Sequence, residues 1–464
     1  MTEGCEFKVI LINQVLKYPN DFQSYHEIAQ ILSENNRLNA SIRAGILANN
    51  LHENDADIIE TLVLTYYKNG AYLEASNCLK KLIQLKPNEA NYYRDLGVVE
   101  QILGNIQDAE DALIKSLSID PSHAASHYSL SRQFDYRCNP KLWHALTILD
   151  ASKYKSNADK IKINFAKSNA FHRARLYKQS AQCLQEANNL KRRSITSNMQ
   201  TTIKAGHSRL HLGVKLKEPT TQNKESGLGN IFIVGMPRSG STLVGSILSM
   251  NPNVDNLGEC CFFENSLMKW LNLETEGKCL DQLAKHYLAQ ANKKGNKQIK
   301  LDKSLYNFLN LGIIINCLPQ ARIIHCRRNP LDNALSIYRS NFTEGSEYAT
   351  SMVEIAHVLN LERMLTDYHK SSNPSAFYTV EYEQLSRGAE NVLRPLLSWL
   401  NWQWNENYLK HHQHEQTIET ASLVQVRERI HTKSIGTWRN YRELLKPMSS
   451  ILHRGGKMES LFWC

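Results

Sequence analysis

The sequence predicts a helical repeat array followed by a three-layer α/β domain with a mainly parallel sheet. Three observations carry this prediction. In the first half of the chain, residues recur at a spacing of 34. At 231–234 a short, fully apolar run, typical of a buried parallel strand, leads into a glycine-rich loop and then a helical pattern. Short runs at 298–301, 321–325 and 377–383 supply the other predicted strands.

The repeats come first along the chain. A period of about 34 residues is that of the tetratricopeptide repeat (TPR), a unit of two antiparallel helices. Four pairs of residues share this spacing in one register: Gly70 and Gly104, Ala75 and Ala109, Leu79 and Leu113, and Pro87 and Pro121. Residues 56–89 and 90–123 are therefore predicted to form two repeats.

The segments on either side fit the repeat less closely. In residues 22–55, Asn36 and Ser41 stand where the repeat has Gly and Ala. From Ala124 the register degrades, and it returns near Phe165. This pattern predicts one irregular repeat followed by a closing one.

Three regions follow from these patterns. We assign residues 1–195 to the helical repeat domain, 196–228 to a polar linker and 229–464 to the α/β domain. Stacked repeats form a groove that usually holds an extended peptide or another protein. The alternative, that the repeats serve only as a scaffold or a dimer surface, stays open at this point.

The glycine-rich loop predicts an anion site. Gly235 and Gly240 permit backbone conformations that expose successive N–H groups, and the helix that follows directs its unpaired N–H groups to the same place. Residues 235–242 read G-x-x-x-x-G-S-T, a phosphate-loop pattern in which Ser241 replaces the lysine. We also find no apolar strand that ends in a magnesium-binding Asp, so the loop suits a phosphate ester bound without metal. The groups available to bind it are Arg238 and the hydroxyls of Ser239, Ser241 and Thr242.

The segment G-M-P-R-S-G-S-T-L, residues 235–243, resembles the 5′-phosphosulfate loop of the sulfotransferases. With the repeats in front of it, the chain is most similar to bacterial sulfotransferases that have an N-terminal tetratricopeptide region and to the related tyrosylprotein sulfotransferases. The resemblance implies a P-loop-like fold and transfer of a sulfuryl group from 3′-phosphoadenosine 5′-phosphosulfate (PAPS) to an acceptor hydroxyl. The residues implied to hold the 5′-phosphosulfate are Arg238, Ser239, Gly240, Ser241 and Thr242.

Two further residues are candidates for catalysis. A carboxylate beside a phosphate site is unusual because like charges repel, so Glu259 invites a functional interpretation. The family has a Gly-Glu just beyond the loop helix, which implies that Glu259 is the general base; the alternative is a surface carboxylate that caps the next helix. Lys303 follows the predicted strand at 298–301. The resemblance implies that Lys303 stabilises the leaving oxygen, whereas an isolated lysine is more often solvated.

A second anion site is predicted after the strand at 321–325. Asn329 and Pro330 give the signature of a helix start, which places Arg328 at the end of a strand and next to a helix N-terminus. Arg328 and Ser336, eight residues apart, match the spacing with which sulfotransferases hold the 3′-phosphate of the cofactor. Tyrosylprotein sulfotransferases have an Arg four residues beyond that serine, where this chain has Ser340.

The resemblance extends to the C-terminal part of the chain. Tyr382 stands where the family has Tyr-Glu after a strand, which implies packing on the adenine; the alternative is a core aromatic. Residues 433–440 resemble the Ser-x-Gly-x-Trp-x-Asn stretch that closes over the cofactor, which implies phosphate contacts from Arg427, Lys433 and Gly436.

Composition excludes several other classes. The chain has 464 residues, of which 42% are hydrophobic and 22% charged, as expected for a globular protein of two or three domains. No apolar run has the length of a membrane span, and the N-terminal residues do not resemble a secretory signal, so a cytoplasmic location is expected. The net charge of +10 fits a polyanionic ligand, but the Arg and aromatic pattern of RNA-binding proteins is absent. The scattered cysteines predict reduced thiols, and no metal site is expected.

The acceptor is the open question. A protein tyrosine is the leading candidate, because the related eukaryotic enzymes use it and a repeat groove would present a peptide; a sugar hydroxyl is the second. Two other classes compete with a sulfotransferase. One is a non-catalytic TPR interaction scaffold whose second domain binds the cofactor as a pseudoenzyme, and the other is a nucleotide kinase, which the absent phosphate-loop lysine disfavours. The sequence leaves the oligomeric state open.

Overall fold

The computed structural model describes residues 19–216, 226–273, 279–342, 345–413 and 426–454. Its packing divides the chain into two compact units, with the boundary between Leu176 and Tyr177. The described part of the first unit is helical throughout. Its α-helices are α1 Phe22–Glu34, α2 Leu38–Leu51, α3 Ala56–Lys68, α4 Tyr72–Leu85, α5 Ala90–Leu103, α6 Ile106–Ile119, α7 Ala124–Ser131, α8 Pro140–Ile148 and α9 Asn157–Arg173. Short 3₁₀ helices lie at Tyr136–Cys138 and Ala151–Lys153.

The helix pairs keep one period. The first helices of successive pairs begin at Phe22, Ala56, Ala90 and Ala124, and the second helices begin at Leu38, Tyr72, Ile106 and Pro140. Each start lies 34 residues after its counterpart, which confirms the repeat expected from the sequence. The expectation that the register degrades from Ala124 is wrong for the helix starts. Asn139 accepts a hydrogen bond from the amide of Leu142 and Pro140 occupies the first helical position, so the second helix restarts in register although both helices of the pair are short.

The two unusual residues of the 22–55 segment keep the repeat geometry by other means. Asn36 has a φ of 56°, the left-handed conformation that Gly70 (74°) and Gly104 (98°) adopt at the same point of their repeats. Asparagine is one of the few residues that tolerate this conformation. Ser41 is buried, and its hydroxyl donates a 2.6 Å hydrogen bond to the carbonyl of Ala29, so its added polar group is satisfied between the two helices.

The second unit begins with two helices, α10 (Tyr177–Ser194) and α11 (Met199–Lys215). In the sequence these segments fall at the end of the repeat region and in the linker. Asn188 of α10 donates to the carbonyl of Tyr338 (3.0 Å), so α10 packs within the second unit. The domain limits predicted from the sequence stay a prediction. α10 packs in the second unit, but a helix that packs there can still be part of the last repeat of the array.

A parallel sheet lies at the centre of the second unit, with strand order β2-β3-β1-β4-β5. The strands are β1 Asn230–Val234, β2 Val254–Gly258, β3 Ile299–Asp302, β4 Arg322–Arg327 and β5 Phe377–Glu381. The remaining α-helices are α12 Ser241–Leu248, α13 Phe262–Leu271, α14 Leu280–Lys294, α15 Leu311–Cys317, α16 Pro330–Tyr338, α17 Met352–Ser372, α18 Tyr382–Arg387, α19 Ala389–Trp399 and α20 Arg442–Arg454. The 3₁₀ helices are Leu305–Asn310, Glu347–Thr350, Pro374–Ala376, Glu406–Gln413 and Thr437–Tyr441.

Helices cover both faces of the central strand. On β1, Ile231 and Ile233 join an apolar cluster with residues of α12 and α19. Phe232 points to the other face, where its ring contacts those of Phe263 in α13 and Tyr287 in α14. A strand buried on both faces has no polar side, which explains the continuous apolar run in the sequence. The predicted α/β class and its parallel sheet are confirmed. Within the described ranges, no helix combines the length and the apolar character needed to cross a membrane.

Strand β2 is not predicted by the sequence pattern. Its residues include the polar pair Asp255 and Asn256, so it lacks the apolar run that reveals a buried strand. β2 lies at the edge of the sheet, and Asp255 accepts hydrogen bonds from the amide of Lys297 and the ammonium of Lys300, both at 2.7 Å. Polar contacts to the neighbouring strand therefore replace burial at this edge.

A close helix crossing in the second unit generates a stability prediction. A Cβ atom at Gly213 of α11 would lie 3.1 Å from the backbone of Gly312 in α15. We expect Gly213→Val to lower the free energy of unfolding by about 1–3 kcal/mol through overpacking. Ser208→Val, at an exposed position of the same helix, is the control and should change it little. Denaturant unfolding measures the free energy of unfolding of both variants. An equal change in the two variants would contradict the close packing at Gly213.

Candidate active site

The carboxyl ends of the parallel strands meet at one edge of the sheet. The residues that follow them are the loop containing Arg238 after β1, Glu259 after β2, Lys303 after β3, Arg328 after β4 and Tyr382 after β5. Ligands of open α/β sheets bind at this edge. The topology therefore brings the predicted loop, the predicted catalytic pair and the predicted second anion site to the same side of the molecule.

The loop between β1 and α12 presents a buried donor without a partner. Ser239 is 2% exposed, yet its Oγ makes no hydrogen bond with the residues that the structure describes. Leaving a buried hydroxyl unpaired is costly, which points to a ligand as its partner. α12 begins two residues later, at Ser241, and the first N–H groups of a helix lack intrahelical acceptors. The combination fits an anion.

Side chains from the β4–α16 segment hold the outer side of this loop. Asn333 Nδ2 donates to the carbonyl of Pro237 (2.8 Å), and Arg328 Nη1 donates to the carbonyl of Arg238 (3.0 Å). Arg238 has a left-handed φ of 67°, and its Nε donates to Ser336 Oγ (3.2 Å). The negative ends of two loop carbonyls are thereby compensated, which favours an anion on the loop.

Arg328 connects the loop to Tyr382 and to the C-terminal segment. Its guanidinium carbon lies 4.6 Å from the centre of the Tyr382 ring, and its Nη2 donates to the carbonyl of Ser434 (3.0 Å). The Tyr382 hydroxyl lies 2.6 Å from Ser434 Oγ. The ring also lies against the loop, because a Cβ at Gly240 would come within 2.7 Å of it. Arg328 Nε is buried without a hydrogen-bond partner among the described residues.

Glu259 and Lys303 form an ion pair with unequal exposure. Lys303 Nζ lies 2.5 Å from Glu259 Oε1; the lysine side chain is 5% exposed and the glutamate side chain 50%. The ammonium is therefore enclosed, while the carboxylate is open to a solute. The Lys303 side chain also passes beside the loop helix, with its Cδ 3.3 Å from where a Cβ of Gly245 would lie. The pair thus sits next to the helix that follows the loop.

Burial governs the groups around this pair. Asp302 is fully buried, and burial raises the pKa of its carboxyl. Burial also raises the pKa of the Cys260 thiol to about 12, so that it stays protonated at neutral pH. Cys260 Sγ lies 3.8 Å from Ser304 Oγ, which in turn accepts a hydrogen bond from the amide of Cys261 (3.0 Å). These contacts agree with a packing role for Cys260.

The other predicted cofactor residues lie on the C-terminal segment. The amide of Gly436 donates to Asp332 (2.6 Å) and is therefore already paired. The Lys433 side chain is exposed and makes no hydrogen bond or ion pair with described residues. Arg427 is half-buried, and burial lowers the pKa of its guanidinium. As phosphate-binding residues, all three stay predictions.

Sequence reasoning missed two residues that shape the site, Asp332 and Asn333. Both are 2% exposed, and both lie near the start of α16. Asn333 supports the loop at Pro237, and Asp332 accepts the amides of Gly436 and Trp438. The available signal is their polarity next to an apolar helical stretch, because buried polar side chains need partners.

Three histidines, His411, His412 and His414, lie close together in the sequence, and the structure describes two of them. The rings of His411 and His412 lie 5.6 Å apart, and His414 falls outside the described residues. Among the residues described, no three His, Cys, Asp or Glu side chains are grouped so that they could hold a metal ion.

Two relatives frame the comparison with known proteins. An uncharacterized protein of Aquifex aeolicus (strain VF5) is 26% identical over 427 residues, covering 86% of this chain and 55% of that protein. Protein-tyrosine sulfotransferase 1 of Danio rerio is 26% identical over 235 residues, covering 47% of this chain and 65% of that protein. The chain thus spans 55% and 65% of the lengths of these two relatives.

The family match lies in the second unit. A solved structure that is similar to this chain is the sulfotransferase domain from the Synechococcus PCC 7002 olefin synthase, with 18% identity and a TM-score of 0.34; the match covers 49% of this chain and 98% of that domain. Residues 230–406 match the model of the sulfotransferase family. This range contains all five strands and the loop described above. Residues 230–406 are therefore similar to the sulfotransferase family, and in this chain they follow a tetratricopeptide-like helical array.

Proposed function

We propose that the protein is a sulfotransferase that uses PAPS as the sulfuryl donor. The observation that carries this proposal is a pair of buried hydrogen-bond donors at one edge of the sheet, Ser239 Oγ in the loop and Arg328 Nε after β4, neither of which has a partner among the described residues. A donor with phosphate groups at both its 5′ and 3′ positions needs two such anion sites, whereas a nucleoside triphosphate needs only the loop. The family match of residues 230–406 supports the same donor class.

The proposed contacts divide between the two ends of the donor. The residues proposed to hold the 5′-phosphosulfate are Arg238, Ser239, Gly240, Ser241 and Thr242. Arg328 and Ser336 would hold the 3′-phosphate, since a guanidinium matches phosphate geometry, and Tyr382 would stack on the adenine. Further phosphate contacts are proposed for Arg427, Lys433 and Gly436. No metal is part of this proposal.

Transfer would proceed by in-line displacement at sulfur. The acceptor oxygen attacks sulfur, Glu259 takes the hydroxyl proton, and the bond from sulfur to the bridging phosphate oxygen breaks with its electron pair left on that oxygen. Lys303 stabilises the charge that develops there. The Lys303 ammonium has three N–H donors, and Glu259 accepts from one of them. Lys303 can therefore also donate to the bridging oxygen. The products are a sulfate ester and adenosine 3′,5′-bisphosphate.

The acceptor is proposed to be a hydroxyl on a macromolecule, with protein tyrosine first and a sugar second. Support for tyrosine comes from the name of the Danio rerio relative, of which this chain spans 65%. We propose that the helical repeats bind the acceptor protein, because arrays of this kind bind extended peptides. A cytoplasmic location belongs to the same proposal.

The donor class is tested first by calorimetry. We expect adenosine 3′,5′-bisphosphate to bind more tightly than ATP, without magnesium, by about tenfold or more, because loss of one charge-assisted contact costs at least that factor. Equal or tighter binding of ATP that requires magnesium would contradict the proposal and favour a kinase. Binding of the bisphosphate without sulfuryl transfer to any tyrosine or sugar acceptor would favour the pseudoenzyme.

Glu259 is tested by Glu259→Gln. We expect turnover of PAPS to fall by about 10²- to 10⁴-fold, because the amide cannot accept the acceptor proton, while affinity for the bisphosphate stays within about twofold. Glu390→Gln is a matched control, since Glu390 is 51% exposed and also pairs with a cation, Arg394 at 2.7 Å. Steady-state kinetics of PAPS turnover compare the variants. If Glu259→Gln keeps full turnover, another group is the base.

Arg328 is tested by Arg328→Ala. The affinity for adenosine 3′,5′-bisphosphate should fall by about tenfold to a hundredfold, as expected for loss of a contact to a charged group, and the affinity for 5′-AMP should fall much less. Arg322→Ala, at the other end of β4, is the control because Arg322 also packs on an aromatic ring, that of Trp399. Calorimetry with adenosine 3′,5′-bisphosphate and with 5′-AMP measures the loss of affinity for each nucleotide. An equal loss for AMP would contradict a specific role at the 3′-phosphate.

A further inference from the structure

The segment 433–438, which we name the strap, is bound by side chains from separate elements of the second unit. Arg328 donates to the Ser434 carbonyl (3.0 Å), and the Tyr382 hydroxyl lies 2.6 Å from Ser434 Oγ. Asp332, from the first turn of α16, binds the strap two and four residues further on, at Gly436 and Trp438. Two of these three side chains also belong to the proposed nucleotide site.

Asp332 makes a two-point contact with the strap backbone. Its Oδ2 accepts the amide of Gly436 (2.6 Å) and its Oδ1 accepts the amide of Trp438 (2.9 Å). Gly436 has a φ of 73° and starts the 3₁₀ helix Thr437–Tyr441. The backbone turn at this point lets both N–H groups face one carboxylate. Bonds to a carboxylate are stronger than those between neutral groups and fix the geometry closely.

The two strap amides, of Gly436 and Trp438, are the main partners of the Asp332 carboxylate. The side chain is buried, with 2% exposure, and it forms no ion pair with the residues that the structure describes. The backbone amide of Asp332 donates a hydrogen bond to the capping Asn329 Oδ1 (3.2 Å), and a carboxylate in the first helical turn is favoured by the helix dipole. A buried carboxylate held by a helix start and two amides is a fixed anchor rather than a surface charge.

The anchor lies close in the chain to the group that accepts a hydrogen bond from Arg328. Ser434 is two residues before Gly436, so fixing Gly436 also fixes the carbonyl that accepts from Arg328 Nη2. Arg328 Nη1 donates to the carbonyl of Arg238 in the loop, and Nε is buried with no hydrogen-bond partner in the part of the chain that the structure describes. Displacing the strap would free Nη2 and let the guanidinium rotate away from the ring of Tyr382.

We propose that Asp332 is a positioning residue for the nucleotide site: it pins the strap, and the strap orients Arg328 and Tyr382 toward the 3′-phosphate and the base. This proposal rests on the proposed use of PAPS for its ligand, but the pinning itself does not. Asp332 touches neither the donor nor the acceptor, and its effect passes through Arg328 and Tyr382.

Two readouts on one variant test the proposal. In Asp332→Asn, the amide group keeps the size of the side chain but presents an N–H group toward one of the two backbone amides. We expect hydrogen exchange of peptides containing residues 433–438 to accelerate by about tenfold or more, because a bond to a charged acceptor is lost. The Kd for adenosine 3′,5′-bisphosphate should rise by about tenfold to a hundredfold, and the Kd for 5′-AMP by less.

The control is Asp255→Asn. Asp255 also accepts a backbone amide and a second donor, from Lys297 and Lys300, but it lies at the amino end of the strands. This variant should lose stability while its exchange at 433–438 and its nucleotide Kd stay within about twofold of the parent values. Asp332→Glu keeps the charge and displaces the carboxylate by one methylene, so it replaces Asp332→Asn if that variant does not fold, and the same two changes are expected.

The outcomes separate this proposal from the proposed function. Unchanged exchange at 433–438 in a folded Asp332 variant overturns the pinning, whatever the ligand. Faster exchange with an unchanged Kd for the bisphosphate overturns the positioning role. If the unmodified protein does not bind the bisphosphate, the proposed function fails, and the exchange experiment still decides whether Asp332 pins the strap.

Discussion

Parallel strands place their carboxyl ends at one edge of a sheet, and in this protein that constraint assembles the candidate site. Each of the strand ends supplies a residue or loop, from the anion loop after β1 to Tyr382 after β5. The residues come from positions spread over about 150 residues of chain, so only the shared strand direction brings them together. An antiparallel pairing at any of these strands would carry its residue to the opposite edge.

The charges at this edge are arranged asymmetrically. Lys303 is enclosed and Glu259 is half exposed, although they form one ion pair. A buried ammonium needs a partner, because removing an unpaired charge from water is expensive, and Glu259 supplies one. The other side of Glu259 then remains open to solvent. One ion pair thus keeps a cation beside the loop helix and an accessible carboxylate, the arrangement that the proposed base would need.

The sequence predicted those parts of the structure that are encoded locally. The apolar run of β1, the loop that follows it and the helix start at Pro330 each appear as a contiguous pattern, and the 34-residue period of the helix pairs is visible as well. β2 escaped because an edge strand with Asp255 and Asn256 has no apolar run. Asp332 and Asn333 escaped for a different reason. Their partners lie about 100 residues away, and no local pattern encodes which backbone group a buried polar side chain will bind.

The limits of the second unit follow from its polar contacts rather than from the family match. α10 donates from buried Asn188 to the Tyr338 carbonyl and pairs Arg192 with Glu354, while Ser180 accepts a buried hydrogen bond from the Tyr441 hydroxyl (2.9 Å). A chain that began at the first strand would lack these bonds and would expose the surface that α10 covers. It would also expose the surface of α15 on which α11 packs. Since Tyr441 ends the 3₁₀ helix that the strap leads into, removing α10 would loosen the same segment that Asp332 holds. The compact unit that contains the sulfotransferase-like residues 230–406 therefore begins near Tyr177, well before the first strand.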